Sequence, residues 1–204
     1  MNPTLDRRLA AAAAAVIFAT IGFAIGFKTA EPALPDDDSV DVGFLQDMVD
    51  HHDQAVVMSA YMMRPDSGAD STVRTTAFEI VMQQRYEIGL MHAWLRDWGY
   101  DLGETDRLVM GWMGMEPVPL SEMHGMQSES QMQTLEDARG RDADGEFLDM
   151  MIDHHQGAVD MGDYVKKHAT DEKVRSFGER VARIQRSEIL ELKALQRRLG
   201  LPVS

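Results

Sequence analysis

A chain of 204 residues has room for one soluble domain of ordinary size and an appendage. Its 20 Lys and Arg against 34 Asp and Glu leave a formal charge of −14, which disfavours nucleic acid and anionic membrane surfaces as partners. The absence of cysteine excludes disulfides, thiolate metal sites, a lipoprotein anchor and thiol catalysis. Sixteen methionines supply thioethers instead, soft ligands that suit an oxidising compartment.

Residues 1–30 are of a different material from the rest. Arg7 and Arg8 precede the apolar run Leu9–Phe27, which ends at Lys28. Its 19 residues would span about 28 Å as a helix, close to a hydrocarbon core. The run is long for the apolar part of a signal peptide, and no clean small-x-small cleavage site precedes Glu31. An uncleaved, single-pass signal anchor is therefore expected over a removed signal. The arginines mark the cytoplasmic side, so the remaining domain should be extracytoplasmic, held to the cell membrane by this transmembrane helix. Residues 31–41, with two prolines and Asp36-Asp37-Asp38, read as an acidic linker.

From Val40 to Arg64 the positions Phe44, Leu45, Met48, Val49, His52, Ala55, Val56 and Ser59 recur at helical spacing, and Pro65 ends the helix. A second helix is expected over Ser71–Trp98, with Ala77, Ile80, Val81, Gln84, Ile88, Met91, Leu95 and Trp98 on one face and Gly99 in the left-handed C-terminal position. Short helices are expected over Glu104–Met115 and Ser128–Arg139. A third long helix should run from Asp142 to Ala169. The fourth should follow Thr170 as N-cap and end at Gly200.

One segment occurs twice. Phe44–Met58 returns 103 residues later as Phe147–Met161, with nine of fifteen paired positions identical and Asp-His-His among them. The following helices repeat as well: Val73-Arg74 matches Val174-Arg175, Gln84 matches Gln185, Glu87-Ile88 matches Glu188-Ile189, and Gly99 matches Gly200. Each half is thus a helical hairpin with one design, and two hairpins bury their apolar stripes against each other as an all-α, four-helix bundle. The domain boundaries expected are 42–200 for the bundle: repeat one 42–100, a Met-rich crossover 101–141, and repeat two 142–200.

Adjacent histidines at the same point of both halves suggest two half-sites that meet, and imidazole is the commonest protein metal ligand. Neighbours on a helix lie about 100° apart. His52 and His155 therefore fall on the apolar stripe, one turn after Met48 and Met151, while His51 and His154 sit on its flank. Gln84 and Gln185 point inward from the partner helices, with Glu87 and Glu188 one turn on; Met91 follows Glu87, but its counterpart is Leu192. A buried His can equally be a hydrogen-bonded core residue with Gln or Glu as its partner. Asp50 and Asp153 read as outer hydrogen-bond acceptors or solvated charges. The crossover adds Met110, Met113, Met115, Met123, Met126 and Met132 with His124 among them, interrupted by glycines and prolines. Such a broken segment reads better as flexible thioether ligands for Cu(I) or Ag(I) than as core, with a docking lid as the alternative.

The Asp-His-His-x-x-Ala-Val segments, the Gln-x-x-Glu-Ile of both partner helices with Met91 and Trp94-Leu95, and the Met-His-Gly-Met linker resemble the bacterial "domain of unknown function 305" family over about residues 42–200. The resemblance implies a ferritin-like helical bundle, usually exported, with some members similar to copper-binding and copper-resistance proteins. Residue by residue it implies His51, His52, His154, His155, Glu87, Glu188 and the linker methionines. Leu192 departs from symmetry at a position where methionine would restore it.

The expectation is a membrane-tethered copper-binding protein that buffers Cu(I) or delivers it to an acceptor protein. Met48, His52, Met151 and His155 would form the bundle site, and the linker methionines a mobile transfer site. Two alternatives stay open. One is an oxidoreductase with a dinuclear iron or manganese site, although no Glu-x-x-His stands at the repeated positions. The other is a metal-free accessory subunit docked on a membrane complex. There is no cysteine, no Gly-x-Ser-x-Gly and no phosphate-binding glycine loop, so nothing points to nucleophilic catalysis and the reading leans away from an enzyme.

Overall fold

The computed structural model describes residues 34–100 and 107–204, and Pro35–Ser204 form one compact unit. The expected membrane helix within residues 1–30 lies outside the described residues. Among the latter, no helix is long and apolar enough to cross a membrane. The described residues are all-α, with five α-helices: α1 Val40–Met63, α2 Ser71–Asp97, α3 Glu129–Asp137, α4 Gly140–His168 and α5 Glu172–Leu199. The four long helices are those expected from the apolar periodicity, and α3 adds a short fifth.

Local chemistry sets the helix ends. The Ser39 hydroxyl accepts from the Val42 amide, and Asp70 accepts from Thr72, so each relieves an unpaired amide at a helix start. Ser128 and Gln131 cap α3 reciprocally. The fourth long helix begins one residue later than expected: Asp171, not Thr170, is its N-cap, accepting from the amides of Lys173 and Val174. Thr170 has another task. Its amide and hydroxyl, with the amide of Asp171, donate to the carboxylate of fully buried Asp41 at 3.0, 2.6 and 2.9 Å.

The counterpart of Asp41 in the second repeat is Asp144, which accepts from the amide of Asp70 at 3.0 Å. Each His-bearing helix thus uses an aspartate near its start to hold the turn between the two helices of the other hairpin. This interlock requires α1 and α4 to run antiparallel. Helix α1 packs on α2, α4 packs on α5, and α1 meets α4 between the hairpins.

The antiparallel arrangement divides the apolar interior in two. One cluster holds Phe44, Met48, Met91, Met161 and Phe177; the other holds Met58, Met62, Phe147, Met151 and Leu192. Repeat mates such as Met48 and Met151 therefore lie in different clusters. Between the clusters along α1 and α4 stand the paired histidines.

The crossover is not the helix expected at Glu104–Met115. Within its described part only a single 3-10 turn forms, Gly111–Met113, followed by another at Leu120–Glu122. Val109 and Val118 instead form an isolated antiparallel bridge, with N–H···O distances of 2.8 and 3.1 Å. The physical reason is that the buried Asp47 carboxylate of α1 captures this strand. It accepts from the Met110 amide at 2.8 Å, from Trp112 Nε1 at 2.7 Å and from the Arg107 guanidinium. Amides committed to a side chain cannot also propagate a helix.

Candidate metal centre

All four paired histidines, His51, His52, His154 and His155, are fully buried. Their roles differ from the helical-wheel expectation. The direct contact between hairpins is made by the flank pair: the His51 and His154 rings stand 3.7 Å apart between centroids at 37°, and His154 Nε2 lies 2.9 Å from the carbonyl oxygen of His51. His52 and His155 each turn back to the carboxylate of their own hairpin. His52 Nε2 lies 2.9 Å from Glu87 Oε2, and His155 Nε2 lies 2.9 Å from Glu188 Oε2, the latter off line for a hydrogen bond.

Two of the imidazoles, His51 and His154, are held towards the neutral form. Burial pulls the pKa of His51 well below the ordinary 6.5, and the neighbouring imidazoles of His154, His52 and His155 push it the same way. For His154, burial again dominates, followed by His155 and His52. A neutral ring carries a lone pair that a metal ion can take.

Among the described residues, six of the eight ring nitrogens make no hydrogen bond of ordinary geometry: both of His51, both of His155, and Nδ1 of His52 and His154. The side-chain amides of Gln84 and Gln185, buried repeat mates on α2 and α5, are unpartnered too. Each buried orphan left unsatisfied costs about 1–3 kcal/mol. Those donors fit a soft or borderline d-block ion. Among the described residues, however, no three His, Asp or Glu side chains converge as a ready-made metal cluster.

The remaining candidates scatter around this layer. Met48 and Met91 are buried in the first apolar cluster, and Met151 in the second. Met113 and Met126 are half-buried against the first cluster, and Met115 is exposed. Met110 and Met123 are only 3% and 2% exposed and belong to the first cluster, so these two linker methionines are core residues and not flexible arms. Their helix-breaking neighbours had suggested otherwise, but the Asp47 capture lets an irregular strand bury them. His124 points outward, its Nδ1 3.1 Å from Asp160 Oδ2. Asp50 pairs with Arg107, and Asp153 accepts from Gln127.

Sequence reasoning missed the residues that hold the crossover over the histidines. Gln54 and Gln127 exchange two hydrogen bonds: Gln54 Nε2 donates to the Gln127 carbonyl at 2.8 Å, and the Gln127 amide donates to Gln54 Oε1 at 2.7 Å. Three residues before Ser128, Gly125 takes a φ of +87° and lies against both halves. A β-carbon there would stand 3.0 Å from His51 Nε2 and 2.8 Å from the His154 carbonyl oxygen. The available signal was a break in the repeat. Gln54 is matched by Gly157 and Asp47 by Met150, because one crossover must pass a nearly two-fold surface and can bind only one half in each way.

A crystal structure from Streptomyces coelicolor, named as a secreted protein of the DUF305 type, is 31% identical; the match covers 83% of this chain and 99% of that one, with a TM-score of 0.74. A DUF305 fragment from Deinococcus radiodurans is also 31% identical, with 79% and 95% covered and a TM-score of 0.64. CopM in its Cu(II)-bound form is 25% identical, with 78% and 96% covered and a TM-score of 0.56. No curated protein matches the chain. The family described as "Domain of unknown function (DUF305)" matches residues 41–196, which include both His-His helices and the crossover. This chain therefore belongs to the DUF305 family.

Proposed function

We propose that the chain is an extracytoplasmic metal-binding protein that takes up Cu(I), and Ag(I) by the same softness, to buffer it or hand it to an acceptor. The observation that carries this reading is the fully buried, tilted contact of the His51 and His154 rings, with three of the four ring nitrogens unpartnered among the described residues. A d10 ion is satisfied by a few imidazole and thioether donors and needs no carboxylate cage, which suits a layer of imidazoles with buried Met48, Met91 and Met151 in the adjoining clusters. CopM, which shares the fold, exists in Cu(I)-bound and Ag-bound forms. A relative named as secreted supports placement outside the cytoplasm. The apolar segment Leu9–Phe27 would tether the domain to the membrane.

The dinuclear iron or manganese reading draws less support, since carboxylate-rich convergence is missing among the described residues. The accessory-subunit reading keeps one specific observation. Phe78, Met82 and Tyr86 form an exposed apolar stripe at successive turns of α2, a surface for a partner such as the acceptor itself.

The test is copper and silver retention by the full chain in detergent under reducing conditions. Wild type should hold stoichiometric metal, and a His51→Ala/His154→Ala variant should hold markedly less. Equal retention by the two would remove the reading, and stoichiometric iron from iron-fed cells would replace it.

A further inference from the structure

The two halves of the polar layer are not equally closed. Around His52 the layer is sealed: the Glu87 side chain is only 3% exposed, and Gln83 Nε2 donates to its Oε1 at 2.9 Å. Around His155 it is open. The Glu188 side chain is 23% exposed, and the residue matching Gln83 is Ile184, which has no amide to donate. Leu192 replaces Met91 at the same level.

This opening leads into a cleft of about 30 Å³ between α2 and α5, lined by Thr76, Glu79, Ile80, Glu188, Glu191 and Leu192. The two helices make no extensive contact with each other, so the seam between the hairpins is thin here. Three of the six lining residues are carboxylates, and among the described residues none of the three pairs with a Lys or Arg. Glu188 joins this cleft to the interior: behind it His155 is fully buried, with Nε2 2.9 Å from the Glu188 oxygen and, among the described residues, no hydrogen bond at either ring nitrogen.

We propose that this cleft is the entrance through which metal cations reach the buried histidines, by way of Glu188 and His155. The inference rests on the metal-binding reading above. Negative charge at the mouth draws a cation from solution. Carboxylates are hard ligands that hold a soft ion weakly, so it passes from Glu79 and Glu191 to Glu188 and then to the imidazole of His155. No bond other than metal coordination is made or broken, and no electron moves. The repeat-related positions carry Arg180 on α5 and Leu90 on α2 where the mouth has Glu79 and Glu191, so the acidic mouth is not duplicated by the repeat.

The experiment follows uptake of Cu(I) from a weak chromophoric chelate by the full chain, in stopped flow and at several salt concentrations. The Glu79→Gln/Glu191→Gln variant should take up the ion about three- to tenfold more slowly, with a flatter salt dependence. The Thr76→Trp variant, which fills the cleft without changing charge, should slow uptake at every salt concentration. Metal held at saturation serves as the control that each variant is folded and its interior intact. Wild-type rates and salt dependence in both variants would overturn the entrance while leaving the metal-binding reading in place. Failure of the wild type to hold metal at all would overturn both.

Discussion

Gly157 of α4 lies directly against the backbone of His124 in the crossover: a β-carbon on Gly157 would stand 2.2 Å from the His124 carbonyl oxygen and 2.9 Å from the Cα of Gly125. The crossover strand is seated on the second His-bearing helix by backbone contact, directly above the imidazole pair. Gly157→Ala should lift it, at a stability cost of about 1–3 kcal/mol. Urea denaturation of the metal-free protein measures the cost. A variant as stable as wild type would mean that the strand is not seated as described.

On the opposite side the strand is held by Gln54. Gln54→Ala removes both of its hydrogen bonds to Gln127 and strands a backbone amide and carbonyl. Loss of stability should be about 1–3 kcal/mol. Hydrogen exchange should accelerate at Gln127 and its neighbours, with the long helices unaffected. Uniform acceleration through α1 and α4 would show instead that Gln54 supports the bundle as a whole.

The repeat-related pairs His52–Glu87 and His155–Glu188 make an internal comparison. His52→Ala leaves the Glu87 carboxylate almost fully buried without its imidazole, a loss of about 3–5 kcal/mol. His155→Ala creates a similar cavity but leaves Glu188 with access to water, so its cost should be smaller, about 1–3 kcal/mol. Denaturation midpoints of the two metal-free variants test the order. A reversed order would contradict the difference in closure.

Acid should destabilise the metal-free fold. His51 and His154 have pKa values well below 6.5 when folded and near 6.5 when unfolded. Below pH 6.5 the unfolded chain therefore binds protons that the fold refuses, and stability present above that pH is lost as pH falls. The two groups together give a slope of up to about 2.7 kcal/mol per pH unit. Half-buried Asp50 and buried Asp144 have raised pKa values, chiefly from desolvation, and oppose part of this loss at lower pH. Urea midpoints at pH 7.5, 6.5 and 5.5 should fall in that order, and less steeply in His51→Gln/His154→Gln. A flat wild-type profile would be incompatible with two neutral buried imidazoles.

Much of this molecule is written locally. The apolar spacing from Phe44 to Ser59, and its return from Phe147, specifies amphipathic helices because periodicity is a property of the chain alone. Their caps and the glycines that follow them set the ends to within a residue or two, with left-handed φ of +85° at Gly99 and +65° at Gly200. The paired histidines are found the same way, since a duplicated motif is visible without coordinates. The crossover was less legible. Its strand conformation depends on Asp47, 63 residues before Met110, and no local pattern carries that contact.

Sequence alone determined an all-α chain of two like hairpins with an imidazole pair in each. Which imidazoles meet was decided only in three dimensions. A helical wheel places His52 and His155 on the stripe and their neighbours on its flank, but the flank that faces the other hairpin depends on how α1 and α4 approach. That approach is set by the Asp41 and Asp144 tethers and by the glycine seat of the crossover, all long-range contacts. Hence His51 and His154 touch across the interior, while His52 and His155 are held by their own carboxylates.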